Sequence, residues 1–149
     1  MLSRKDRERQ NAWFKSYITT ILQRDVRDIA NIEKINELPK LLSLFAARAG
    51  TLLNFAELSR SSTIPQTTLK RYVALLEAIF MIYQLPAWSG NLSKRLIKTS
   101  KLYLNDTGLL SHLIGFEADK IYSDSMSWGR LLENFVLNEL LKQASWSRF

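Results

Sequence analysis

At 149 residues the chain can bury one core of ordinary size but not two. Its 46% hydrophobic and 11% aromatic content is that of a globular protein; the absence of cysteine excludes disulfides and thiolate metal sites, and the single histidine, His112, removes most imidazole chemistry. The net charge of +7 favours an anionic partner, with nucleic acid first among the candidates.

The opening residues, Met1 to Arg9, are charged from the fourth position and lack the apolar stretch of an export signal, so a cytoplasmic location is expected. No apolar run reaches the length of a bilayer, and no membrane partner is expected. From Asn11 to Ile29, Phe14, Ile18, Ile21, Leu22, Val26 and Ile29 recur at steps of three and four, which predicts a long amphipathic helix. A second helix is predicted from Asn36, with Pro39 in its first turn, through Leu41, Leu42, Phe45 and Ala46 to a stop at Gly50.

Asn54 is positioned to cap a short helix over 55–60, Ser61-Ser62-Thr63-Ile64 interrupts the periodicity, and Pro65 opens a further helix. In that helix Leu69, Val73, Leu76 and Phe80 form an apolar stripe, while Gln66, Thr67, Lys70 and Arg71 point away from it. This is the division expected of a recognition helix. Two β-prone runs follow, 81–85 and 101–104, joined by a basic loop that would form a wing. Asp106 can cap a short helix closed by Gly115, residues 116–127 read as a linker, and a last helix runs from about Trp128 past Leu132, Phe135, Val136 and Leu140.

The pattern predicts a mainly α fold with a small β-hairpin, in which a winged helix-turn-helix core is flanked by N- and C-terminal helices. Residues 1–50 form the N-terminal helical segment, 51–115 the winged helix-turn-helix, and 116–149 the linker and C-terminal helix. Between Arg60 and Lys101 there are seven basic residues and one acidic one, Glu77, so this stretch carries +6 of the +7. Gln66, Thr67, Lys70 and Arg71 are therefore expected to enter a groove of double-stranded DNA, with Lys94, Arg95 and Lys98 on phosphates.

The run Lys94-Arg95-Leu96-Ile97-Lys98, then Lys101-Leu102-Tyr103-Leu104-Asn105-Asp106-Thr107-Gly108-Leu109-Leu110 and Leu113-Ile114-Gly115, resembles the domain of unknown function 4143, found after the nucleotide-binding domain of many AAA-type ATPases. Tyr17 to Asp28, with Arg24-Asp25, is similar to that family's first helix, Thr68 to Glu77 to its Thr-x-x-x-Tyr-x-x-x-Leu-Glu helix, and Gly129 to Val136 to the segment closing its core. The resemblance implies a regulatory module whose partner is the ATPase domain of a longer chain, and a C-terminal helix that starts a restriction-endonuclease-like region. Ser100 departs from the family, which usually has proline there. None of the five glycines lies in a Gly-x-x-x-x-Gly-Lys-Thr/Ser phosphate loop, and the acidic and lysine residues of a nuclease centre are missing by Phe149.

The chain is thus expected to be no enzyme by itself and to need no cofactor or metal. Glu133 is read as a solvated or capping residue rather than a metal ligand, Asp106 as a cap, His112 as a partly buried structural residue, and Asp25 with Arg24 and Arg27 as an ion pair that docks the first helix on the ATPase. Trp13, Phe14, Tyr17, Trp128, Phe135 and Trp146 are expected to be mainly core, with any exposed ones promoting a homo-oligomer. The alternative function is a protein-interaction or oligomerisation module of the same fold; a weaker one is an incomplete nuclease-like fragment.

Overall fold

The apolar stripe of the first helix needs a partner, and in the computed structural model it finds one across most of the sequence. The structure describes residues 4–29, 37–88, 90, 99–117 and 123–147. Over these the chain is mainly helical, with six helices and one two-stranded antiparallel sheet. Helix α1 (Arg4–Ile29) buries Phe14, Ile18 and Leu22 in a core to which α2 (Leu38–Ala46) contributes Leu38, Leu41, Leu42, Phe45 and Ala46. Helix α1 starts seven residues before the predicted Asn11, because Arg4 to Gln10 continue it as a polar, helix-favouring extension with nothing apolar to bury. Asn36, the expected cap of α2, lies outside the described residues, and Glu37 occupies the cap position.

Helix α3 (Phe55–Ser62) is capped by Asn54, whose Oδ1 accepts from the Glu57 N–H at 3.1 Å. Helix α4 (Gln66–Ala78) follows Pro65 and buries Leu69, Tyr72, Val73, Leu75 and Leu76. The interruption between them is held by hydroxyls. Ser59 donates to the Ile64 carbonyl at 2.7 Å, Ser62 to that of Leu58 at 2.7 Å, and Ser62 Oγ accepts from the Ile64 N–H at 3.3 Å. Thr63 takes the left-handed conformation, φ 60°, that lets the chain reverse. Serines and threonine thus fix the angle between α3 and α4 through the backbone groups that a helix end leaves over.

Strands β1 (Ile82–Leu85) and β2 (Lys101–Leu104) pair antiparallel, Ile82 opposite Leu104 and Leu85 opposite Lys101. Beyond β2, Leu102 N–H donates to the Thr51 carbonyl at 3.0 Å, its carbonyl accepts from Gly50 N–H at 2.8 Å, and Leu52 forms a single bridge with Lys101. Helix α5 (Thr107–Leu113) is capped by Asp106, which accepts from Leu109 N–H at 2.6 Å. Helix α6 (Ser125–Trp146) starts at Asp124, which accepts from Ser127 N–H at 3.0 Å; its first turn thus takes the last residues of the predicted linker.

Two helices end in the same hydrogen-bonded arrangement. After α5, Gly115 N–H bonds the His112 carbonyl and Phe116 N–H that of Ser111; after α4, Phe80 N–H bonds Glu77 and Met81 N–H bonds Leu76. This double closure requires a left-handed residue between the two donors. Gly115 meets it at φ 64°, but at the end of α4 the residue is Phe80 at φ 57°. Phe80 was expected on the buried stripe of α4. The helix ends two residues earlier, and the reversal leaves its ring 79% exposed.

Candidate nucleic-acid interface

Four of the seven residues predicted to contact DNA are brought together. Gln66, Thr67, Lys70 and Arg71 are all exposed on the N-terminal half of α4, opposite its buried Leu69, Tyr72, Val73 and Leu76. Spacings of one, three and one put them on a single strip, because i, i+1, i+4 and i+5 span roughly 140° of helix surface. Lys70 Nζ stands 5.7 Å from the centroid of the Phe55 ring, so the first residue of α3 steadies a cation on α4. Arg71 borders a groove of about 870 Å³ between α2 and the α3–α4 turn, shared with Lys40, Ser43, Thr63 and Tyr72. Lys94, Arg95 and Lys98 lie outside the described residues.

Not all of the local basic charge faces outward unspent. Lys101 Nζ donates to Glu133 Oε1 on α6 at 2.8 Å, and Arg48 Nη1 to Glu57 Oε1 on α3 at 2.6 Å. Glu77, the one acid of the basic stretch, accepts from both Gln84 N–H at 3.2 Å and Gln84 Nε2 at 2.8 Å, which ties α4 to β1. The acid is thereby turned towards the sheet and off the polar strip.

Glu133 is a structural tie. Its Oε1 accepts from Lys101 and also from Tyr103 Oη at 2.5 Å. The Lys101 bond, then the Tyr103 bond, hold its carboxyl below the usual glutamate range against a smaller opposing effect of burial. Burial first, and Glu133 second, push the Tyr103 phenol well above its ordinary value. Among the described residues no group of three or more His, Cys, Asp or Glu is placed to hold a metal ion. His112 stacks on Phe14 at 4.7 Å between centroids, its Nδ1 lies 3.1 Å from Asn11 Oδ1, and burial, then the charge of Lys15, lowers its pKa. The half-buried ring therefore joins α1 to α5. The side chains of Asp25 and Arg27 lie outside the described residues.

One polar cluster was not anticipated. Asn134, fully buried, accepts from Leu104 N–H at 3.0 Å and donates to the Leu104 carbonyl at 3.0 Å and to Thr107 Oγ1 at 3.1 Å; Asn138 donates to the same carbonyl at 2.9 Å. Leu104 and Leu102 turn their backbone groups away from β1, and Asn134 completes for Leu104 what Gly50 and Thr51 do for Leu102. The i, i+4 pair of asparagines inside an otherwise apolar run was the available signal.

The fold and this surface together define a small, mainly helical domain with a polar, cationic helix face. A family model matches residues 1–120, and the chain belongs to the family described as a domain of unknown function, DUF8612. An uncharacterised protein of Mycobacterium tuberculosis and another of Mycobacterium bovis are each 33% identical over 136 residues, covering 91% of this chain and 31% of the relative. An uncharacterised protein of Haemophilus influenzae is 26% identical over 129 residues, covering 83% of this chain and 30% of the relative. The chain therefore spans about a third of the length of these relatives. No solved structure matches.

The family assignment corrects the resemblance to the domain of unknown function 4143. Of the residues that carried that resemblance, Lys101 to Gly115 form a strand, an aspartate cap, a helix of about two turns and a glycine closure. Local backbone chemistry demands these residue types wherever a strand runs into a short helix, so the pattern does not single out one family. The ATPase association is withdrawn with it, and the nuclease-like continuation loses that support. No helix among the described residues is long and apolar enough to cross a membrane.

Proposed function

We propose that the chain is a non-catalytic winged helix-turn-helix module that binds double-stranded DNA, with α4 as the recognition helix. The observation that carries this is the strip Gln66, Thr67, Lys70 and Arg71: exposed, two of its four members cationic, with Glu77 drawn off to Gln84. The order supports it too. Helix α2, the bridge at Leu52, α3, α4 and the hairpin follow one another as the helices and wing of such a module do. The hydroxyl-locked α3–α4 turn would hold α4 at a fixed angle. Gln66 and Thr67 are suited to base edges, and Lys70 and Arg71 to guanine or phosphate. Lys94, Arg95 and Lys98, in the segment between β1 and β2, would act as wing contacts to the backbone.

Fluorescence anisotropy on a labelled duplex tests this. Affinity should fall steeply as salt rises, with a log–log slope of about −0.9 per phosphate contacted. Lys70→Glu with Arg71→Glu should abolish binding at about 50 mM salt while leaving the circular dichroism unchanged. An unchanged affinity, or no binding by the unaltered chain at low salt, refutes the reading. The second reading, a protein-interaction or oligomerisation module, is favoured by a different element: α6 exposes Leu132, Phe135, Val136 and Leu140.

A further inference from the structure

We propose that two copies of this chain associate through the outward face of α6, helix against helix and antiparallel. This helix is amphipathic in the reverse sense. Its inward side is polar: Asn134 and Asn138 are buried beside Leu131, Glu133 reaches Lys101 and Tyr103, and Arg130 Nη1 donates to the Ala47 carbonyl at 3.0 Å. Its outward side is apolar. Leu132, Phe135, Val136 and Leu140 are 47%, 51%, 46% and 56% exposed, and Trp146 79%. A helix that meets its own fold through two amides and Leu131, and leaves Leu132, Phe135, Val136, Leu140 and Trp146 in water, has a solvent-driven contact still to make.

The spacing identifies what kind of contact. Trp128, Leu132, Phe135, Glu139, Lys142 and Trp146 recur at steps of four, three, four, three and four, the spacing of a two-helix seam, and four of the six are apolar. The two charged positions in that seam are paired with each other, Lys142 Nζ to Glu139 Oε1 at 2.7 Å. An antiparallel two-fold near residue 137 sets Trp128 against Trp146 of the second copy, Leu132 against the aliphatic stem of Lys142, and Phe135 beside Glu139. Each contact is made twice, so the interface is closed and growth stops at two.

Charge and area point to the same occupant. The chain carries +7, which opposes approach of two copies through their basic surfaces, but α6 holds Arg130, Glu133, Glu139 and Lys142 and is neutral. The exposed apolar side chains of this face amount to on the order of 500 Å², near the top of what a monomer leaves uncovered. Two such faces, with the flanking polar atoms, approach the ~1,200 Å² total at which stable interfaces begin.

Sedimentation velocity on the 149-residue chain between about 1 and 100 μM should show a monomer–dimer equilibrium. Leu132→Asp, at an exposed position, should weaken the dimer on the order of 100-fold with unchanged circular dichroism. Because the chain has no cysteine, orientation can be read directly. Trp128→Cys mixed with Trp146→Cys should give a disulfide-linked heterodimer, and Trp128→Cys alone should not cross-link. A monomer at 100 μM overturns the proposal and leaves the face to the residues that the longer relatives carry. Survival of the dimer in Leu132→Asp, or cross-linking of Trp128→Cys with itself, also overturns it.

Discussion

Removing the Asn134 amide should loosen α6 far more than removing that of Asn138, although both bond the same carbonyl. In Asn134→Ala, Leu104 N–H loses its acceptor in a fully buried position, while the Leu104 carbonyl keeps the Asn138 donor at 2.9 Å. An orphaned buried donor costs about 1–3 kcal/mol, and the lost amide bonds add roughly 1 kcal/mol, so the expected destabilisation is about 2–4 kcal/mol. Asn138→Ala leaves the same carbonyl served by Asn134 at 3.0 Å and should cost about 0.5–1.5 kcal/mol. The double variant orphans the carbonyl as well, and should exceed the sum of the two by about 1 kcal/mol. Urea unfolding followed by circular dichroism measures all three, within the 5–15 kcal/mol that a domain of this kind has to lose. Equal costs for the two single variants, or strict additivity in the double, would refute the reasoning.

Three further outcomes follow from particular contacts. Because its folded pKa is depressed, Glu133 contributes stability that is present above the ordinary glutamate value near 4.3 and lost as pH falls through the lower folded value; acid titration of unfolding should show this, and Glu133→Gln should flatten it. Tyr103 has the opposite sense, its raised folded pKa meaning stability present below about pH 10 and lost above it; Tyr103→Phe should remove that alkaline loss in the same titration. Phe80→Gly should raise stability by up to ~1 kcal/mol by relieving a left-handed aromatic, and Gly115→Ala should lower it by about as much; both are read as shifts in urea midpoint.

Where the signal was local, the sequence was readable. Asn54, Asp106 and the strand Lys101–Leu104 are where their chemistry predicts, because a cap answers only to the backbone two or three residues on. Gln66, Thr67, Lys70 and Arg71 share a face because helical spacing fixes it. What depended on distant partners was less legible. The reading of the last helix assigns its aromatics Trp128, Phe135 and Trp146 mainly to the core, but β2 offers that helix an open backbone edge, which an apolar side chain cannot satisfy and asparagine can. Of the aromatics expected mainly in the core, Phe14 is buried, whereas Trp13, Trp128, Phe135 and Trp146 are exposed. Likewise Lys101, counted with the basic stretch, is drawn to α6 by a glutamate 32 residues away.

A two-stranded sheet has two flanks, and each is an invitation for a foreign strand to dock and be copied onward into a fibre. Here a carboxylate from the preceding helix holds Gln84 N–H on one flank, and an amide from the last helix holds Leu104 on the other. A newcomer would have to evict a side chain already bonded before it gained its first rung. Sequence changes that turn this protein into a polymer should therefore concentrate at Glu77 and Asn134, and Thioflavin T kinetics on Glu77→Ala and Asn134→Ala would reveal the flank that opens first.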